Sequence, residues 1–357
     1  MDFLLLVINP GSTSTKVALY LNDKLIQEAT LRHDVHELDK FDNLIDQLDF
    51  RKQVILDFLI DHKYQINQID IFVGRGGMLK PLYNGGTYLV TEKMLNDLRT
   101  CKYGTHASNL GALLASSFAK PLNRPAYIVD PVVIDEFEDI SRVSGLKLIE
   151  RKSIFHALNQ KATAKRHAKT MGNNYEDMNI IVCHLGGGIS VGLHRKGRVI
   201  DVNNALGGDG PFSPERTGTI PTFPLVDLCF SGDYTKEQIH KLLVGKGGLV
   251  SYLGTNSGVE IEKRISEGDT EAQFYFEAMG YNVVKQIGAL YFACKGNVDA
   301  VLITGGVAHS KYFINYLKSY LDKIVPVFIY PGEDEMRALA EGTLRTLRKE
   351  EKLQAYW

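Results

Sequence analysis

The sequence predicts an α/β protein built from two similar halves, and three observations carry that prediction. At 357 residues, 44% apolar and 23% charged, the chain has a globular composition, is too long for one ordinary core and suits two domains of roughly 150 to 200 residues. Apolar runs of strand length repeatedly end in glycine or a polar residue and give way to helical patterns, the rhythm of an open sheet whose ligands collect at strand ends. A strand, a glycine turn and a returning strand open the chain, and the same arrangement comes back near residue 180.

The opening unit is the apolar run 3–8, followed by Asn9-Pro10-Gly11-Ser12-Thr13-Ser14-Thr15-Lys16 and a returning strand over 17–21. Such a turn can hold phosphate. Gly11 lets the backbone approach an anion, the turn amides point at it, and Ser12, Ser14 and Lys16 add hydroxyl donors and a cation. The pattern G-x-x-x-x-G-K-[ST] is absent and no helix follows, so this is not a Walker-type loop. An ordinary hairpin turn would use the same residues.

Residues 25–31 read as a third strand and 33–39 as a solvated polar connection, since His33 and His36 lack the further ligands of a metal site. The stretch 54–60 follows a helical pattern with Arg51, Lys52, Asp57 and Asp61 on its outer side. The strand 69–73 runs into Gly74-Arg75-Gly76-Gly77, which makes Arg75 the first candidate for gripping an anion. Thr91 caps a helix over 92–99. Thr105 caps another through Phe118 that begins His106-Ala107-Ser108-Asn109 and aims free amides outward. A strand over 126–129 delivers Asp130. A helix over 153–171, with His156 and Asn159 in its first turns and Gly172 as its stop, crosses from one domain to the next.

Beyond a polar linker, 180–183 is again a strand, His184-Leu185-Gly186-Gly187-Gly188 a glycine turn and 189–193 the returning strand, with a second turn at Lys196-Gly197. Gly186 falls where Gly11 does. This internal repetition strengthens the phosphate reading of both turns. The glycine-rich segment 206–219 carries Arg216, and loops of that length between apolar flanks point to function. A long buried helix is expected over 271–294. The strand 300–303 delivers Thr304-Gly305-Gly306-Val307, a surface suited to a flat ring, before a helix over 310–321. A last strand over 325–330 leads to Pro331-Gly332-Glu333-Asp334-Glu335 and a terminal helix. The domains so drawn are 1–172 and 173–335, with 336–357 as a C-terminal helix packing back on the first.

A formal net charge of −1 gives no case for a nucleic-acid or membrane-surface partner, so anion binding must be local. Cys101, Cys183, Cys229 and Cys294 form no C-x-x-C pair and suit reduced, buried thiols. The N-terminal apolar run is too short for a signal peptide and no stretch is long enough to span a membrane, so a cytoplasmic protein is expected.

Taken together, the two glycine hairpins, Cys183-His184-Leu185-Gly186-Gly187-Gly188, Arg216-Thr217-Gly218 and Ile303-Thr304-Gly305-Gly306 resemble the acetate and butyrate kinase family, within the superfamily of actin, sugar kinases and heat-shock-type ATPases. The resemblance spans nearly the whole chain in the family's order. Val73-Gly74-Arg75-Gly76-Gly77-Met78-Leu79 and Phe212-Ser213-Pro214-Glu215-Arg216-Thr217-Gly218 look like the butyrate kinase versions of two motifs. Acetate kinases typically place Asn where this chain has Gly187.

The resemblance implies two domains of duplicated ribonuclease H-like (actin-like ATPase) fold with a nucleotide cleft between them. It also implies ATP/ADP, Mg²⁺ and reversible phosphorylation of a short-chain or branched carboxylate such as butyrate to an acyl phosphate. Arg75 and Arg216 would flank the transferring phosphoryl group, with His156 as a further donor and Asp130 beside them. Asn9 and the acidic cluster at Glu335, or Asp334, would hold the Mg²⁺ shell. Asn9, Gly11, Ser12, Thr13, Ser14 and Lys16 would bind phosphates, as would His184, Gly186, Gly187 and Gly188, while Gly305 and Gly306 would face adenosine. Gly76, Gly77 and His106 would line the substrate pocket, and a homo-oligomer, dimer or higher, is expected. A sugar or other hydroxyl kinase, with Asp130 as base, and an actin-like or chaperone-type ATPase stand as alternatives.

Overall fold

In the computed structural model, which describes residues 2–357, two sheets repeat one strand order. The first contains β1 (Leu4–Pro10), β2 (Ser14–Leu21), β3 (Lys24–Arg32), β4 (Ile71–Arg75), β5 (Thr87–Leu89) and β6 (Ala126–Val129), ordered β3-β2-β1-β4-β6-β5. The second contains β7 (Asn179–Leu185), β8 (Ile189–Arg195), β9 (Arg198–Val202), β10 (Ala300–Gly305) and β11 (Val327–Pro331), ordered β9-β8-β7-β10-β11. In each, an antiparallel meander of three strands is extended by two parallel strands beside its first member. The internal repeat read from the glycine turns is therefore a repeat of topology, with β5 as an added edge in the first sheet.

The central strands explain why the sequence announces them. Leu5, Leu6, Val7 and Ile8 are fully buried, as are Ile180, Ile181, Val182 and Cys183. Strands covered on both faces read as continuous apolar runs rather than alternating ones.

The chain divides into one unit made of residues up to Ile134 together with Asp334–Trp357, and a second made of Asp135–Glu333. The division therefore falls at Ile134, not at Gly172. The helix Ala157–Thr170 packs on β7 and β10, burying Ala164 and Ala168 against Ile180, Val182 and Leu302, so it is part of the second unit rather than a crossing between the two. The terminal helix Glu335–Leu347 buries Met336, Ala338, Leu339 and Leu344 against β1, β4 and β6 and completes the first unit.

On the other face of the second sheet lies the helix Thr270–Ala293, whose stripe Phe276, Met279, Val283, Ile287 and Leu290 is buried. It is buried on one side only, with Phe274, Tyr281 and Phe292 exposed. Between β9 and this helix the chain adds Thr222–Cys229, Lys236–Leu243, Gly248–Leu253 and Gly258–Ser266, four short helices. Thr91 caps Glu92–Arg99, its Oγ1 accepting from the Met94 amide. Thr105 does not cap its helix: that helix starts at Asn109, with Ser108 as its N-cap. Among the described residues no helix is long and apolar enough to cross a membrane.

Candidate active site

In the first unit the candidate residues come from the carboxyl ends of parallel strands. β1 and β4 run in register, Ile8 beside Gly74, so Asn9 and Arg75 emerge at one edge of the sheet. Glu335, the first residue of the terminal helix, sits on both. It forms an ion pair with Arg75, the two side chains being 14% and 17% exposed, and its Oε2 accepts from Asn9 Nδ2 at 2.7 Å. Of the two acidic residues the sequence leaves open, Glu335 is the one joined to Asn9 and Arg75. Among the described residues no group of three or more His, Cys, Asp or Glu forms a metal cage. One carboxylate beside a carboxamide nevertheless fits Mg²⁺, which keeps most of its waters and takes its other ligands from phosphate.

Asp130 is buried at the end of β6 with φ +38°. Its Oδ1 accepts from the Gly86 amide at 2.6 Å, and its own amide donates to the Gly86 carbonyl at 3.0 Å. A non-glycine residue held there costs about 1–3 kcal/mol, a strain that clusters at working sites. His106 is exposed on the loop before its helix, with Nδ1 2.8 Å from Ser108 Oγ.

Gly76 and Gly77 do not leave open space for a substrate. A Cβ on Gly77 would lie 2.5 Å from Asn109 Oδ1 and 2.8 Å from the Asn109 amide, and one on Gly76 would lie 3.1 Å from Pro131 Cα and collide with Pro131 Cβ. Asn109 is itself committed, its Oδ1 accepting from the Met78 amide at 2.8 Å and its Nδ2 donating to the Gly104 carbonyl at 2.9 Å. These glycines let the loop after Arg75 close on a helix start.

The β1–β2 turn exposes Ser12, Thr13 and Lys16. Behind it lies Arg51. Sequence periodicity sets this residue among the outward charges of its helix, but it is completely buried beneath the turn.

In the second unit, His184 stands one residue before the end of β7 at 1% exposure, with Nδ1 2.8 Å from Asn159 Oδ1. Its ring stacks on that of His156 with centroids 3.8 Å apart. A hydrogen-bond chain runs from His194 to His156. Burial and the Lys161 charge press His194 well below its usual pKa, so the ring is neutral. Its Nδ1 accepts from Tyr175 Oη at 2.7 Å and its Nε2 donates to Gln160 Oε1 at 3.0 Å. Gln160 Nε2 then donates to Ser190 Oγ at 2.7 Å, and Ser190 Oγ lies 2.8 Å from His156 Nδ1.

Arg216 lies against the second glycine turn, where a Cβ on Gly188 would overlap its guanidinium. Ser213 Oγ, which accepts from the Arg216 amide at 3.2 Å, donates to the Gly187 carbonyl at 2.6 Å and ties loop to turn. Nη1 donates to the Ala205 carbonyl, while Nε is buried with no partner among the described residues. Burial lowers the Arg216 pKa. A cation with an orphaned donor beside a glycine turn has the chemistry to accept an anion.

A cavity of about 560 Å³ opens in the same unit, lined by Gly186, Gly187, Glu215, Asn256, Gly306 and His309 among others. Gly306 faces open space. Gly305 does not: at φ +92°, a Cβ there would sit 2.8 Å from the Leu185 amide, so this glycine serves the contact between β10 and β7. Glu215 stands where a side chain at position 187 would begin, 3.0 Å from such a Cβ, and also accepts from Asn256 at 3.2 Å. Sequence reasoning missed Asn256 and His309, which sit on or beside short elements without a motif. In the sequence Glu333 stands out only as part of an acidic run, whereas in the fold its carbonyl accepts from Asn159 at 2.8 Å.

The model of the acetokinase family matches residues 140–321. Butyrate kinase 2 of Clostridium acetobutylicum is 53% identical over 356 residues, covering the whole of both chains. Among solved structures, acetate kinase of Porphyromonas gingivalis superposes with a TM-score of 0.77 at 20% identity, over 97% of this chain and all of its own. A propionate kinase of Francisella tularensis gives 0.75 at 17% identity, over 95% and 98%. At those identities the superpositions speak for the fold: the duplicated actin-like ATPase architecture read from the sequence.

Proposed function

The chain belongs to the acetokinase family, and from that premise we propose that it is a butyrate kinase-type carboxylate kinase, transferring the γ-phosphoryl group of ATP to butyrate or another short or branched fatty acid, reversibly. The observation that carries the reading is Arg216, a buried cation with an orphaned Nε against a glycine turn. A carboxylate acceptor is ionised at neutral pH, its reference pKa lying near 4, and needs no strong base. What it needs is charge stabilisation on the phosphoryl oxygens.

Each unit supplies part of that inventory. In the first, Arg75 and the turn Gly11–Lys16 take phosphoryl oxygens, and Asn9 with Glu335 would hold Mg²⁺, which would neutralise phosphate charge. In the second, Arg216 and His156 are donors, His184 and the Gly186–Gly188 turn bind phosphate, and the cavity beside Gly306 takes the nucleoside. Asp130, the base a hydroxyl kinase would require, already accepts from the Gly86 amide. The protein is read as cytoplasmic and as a homo-oligomer, for which exposed Phe223 and Phe230 supply apolar surface.

ADP formation with acids of two to six carbons, trapping acyl phosphate as the hydroxamate, tests the reading. Two further methylenes buried are worth about 1.6 kcal/mol, so butyrate should exceed acetate about fifteenfold in kcat/KM. ATP turnover without any acceptor, or activity with sugars alone, overturns it.

A further inference from the structure

Every carbonyl along the crest of the β1–β2 turn is held from behind. Arg51 Nη1 donates to the carbonyls of Gly11 and Ser14, each at 2.9 Å, and Nη2 to the carbonyl of Ser12 at 3.0 Å. The remaining one, Thr13, accepts from the His33 amide at 2.9 Å. Nη1 also reaches Thr15 Oγ1 at 3.1 Å, and Gln47 Oε1 fixes the fork by accepting from Nε at 3.1 Å and Nη2 at 2.9 Å. With the carbonyls turned inward, the amides of Ser12 and Thr13 have no acceptor among the described residues and lie on the exposed crest.

The charge is as telling as the geometry. Arg51 is completely buried and forms no ion pair among the described residues, its acceptors being carbonyls, a hydroxyl and a carboxamide. Burial lowers its pKa to about 10, which leaves it cationic at neutral pH. Purely structural buried cations are normally matched by a carboxylate, because an uncompensated one is costly. Here the missing countercharge would arrive with the ligand.

We infer that Arg51 is a positioning residue for phosphate binding, turning the carbonyls of the β1–β2 turn inward and backing its exposed amides with a fixed positive charge. The inference rests on the reading of this turn as a phosphate site. A neutral scaffold could shape the loop, but it would not favour an anion. The guanidinium fork does both at once.

Gln47→Glu separates the two roles. It keeps the fork in place while giving Arg51 an adjacent carboxylate, so the variant should melt at or above the wild-type temperature yet lose about tenfold in kcat/KM for ATP, the scale of one partly screened charge. Arg51→Lys, which keeps the charge without the fork, should fall between wild type and Arg51→Met. Steady-state kinetics in ATP and in butyrate, with melting curves, are measured on the full chain. Wild-type kcat/KM for ATP in Gln47→Glu overturns the inference, and so does a folded Arg51→Met within threefold of wild type. Should Arg51→Met fail to fold, Gln47→Glu and Arg51→Lys decide. Lys16→Ala guards the underlying reading: if it too is indifferent to ATP, the turn binds no phosphate and the assignment falls with it. If Lys16→Ala is impaired and Gln47→Glu is not, only the role of Arg51 falls.

Discussion

Replacing Arg216 by alanine should damage catalysis far more than the fold, and the structure gives both magnitudes. In the fold the side chain makes one charged hydrogen bond, Nη1 to the Ala205 carbonyl, a contact of a type worth about 1.5–3 kcal/mol. Against this stands a cation that burial destabilises, with Nε left unpartnered. Its removal relieves a cost of about the same size, so stability should move by no more than about 1 kcal/mol, a few degrees in Tm. In the transition state the same guanidinium would gain phosphoryl oxygens. Losing one such donor typically lowers kcat about a hundredfold to a thousandfold. Initial rates at saturating ATP and acid, with a melting curve, make the comparison, and the KM for ATP should change little. A well-folded Arg216→Ala that keeps more than about a tenth of wild-type kcat refutes the role. So does a loss of activity accompanied by a large fall in Tm.

Gly77→Ala and Gly76→Val should destabilise by about 1–3 kcal/mol or more, through collision with Asn109 and Pro131; a stable variant whose butyrate-to-acetate ratio changes would restore these glycines to the substrate pocket. Arg75→Ala should lower kcat about a hundredfold while Glu335→Gln raises the Mg²⁺ concentration needed for half-maximal rate about tenfold; an unchanged Mg²⁺ titration removes Glu335 from the metal shell. His33, pressed to a pKa of about 4 by burial and by the neighbouring Arg51 charge, is neutral in the fold. The unfolded chain, with an ordinary value near 6.5, takes up the proton first, so this contribution is fully present above pH 6.5 and is lost as pH falls toward 4. Melting temperatures across that window should decline more steeply for wild type than for His33→Gln, and parallel curves would contradict the assignment.

The central strands and the repeat were legible because strands buried on both faces leave unbroken apolar runs, and because a glycine turn follows each at the same offset. Arg75 and Arg216 were legible as lone cations among glycines. Arg51 was not. Helical periodicity groups it with Lys52, and its burial comes from a turn 36 to 40 residues earlier, a contact no local pattern reports. The same limit explains Gly76 and Gly77, whose neighbour Asn109 belongs to another element. Three-residue β5 was missed, being too short for alternation to show, and Ser108 displaced Thr105 as a cap because the intervening residues form a turn. The unit boundary was misplaced because Gly172 ends a helix convincingly, while the packing of that helix on β7 and β10 is tertiary.

The first unit is discontinuous in sequence, with Asp334–Trp357 returning to it after the whole of the second unit. Its sheet is packed early by the helix Asn109–Ala119 but gains Glu335–Leu347 only after the whole of the second unit, whereas Asp135–Glu333 is continuous and can finish earlier. Domains generally fold as units during synthesis, so here the segment that starts first is completed second. Glu335, which joins Arg75 and Asn9, arrives with that helix. Removing that helix therefore takes from the first unit both a packing layer and the carboxylate that joins Asn9 to Arg75.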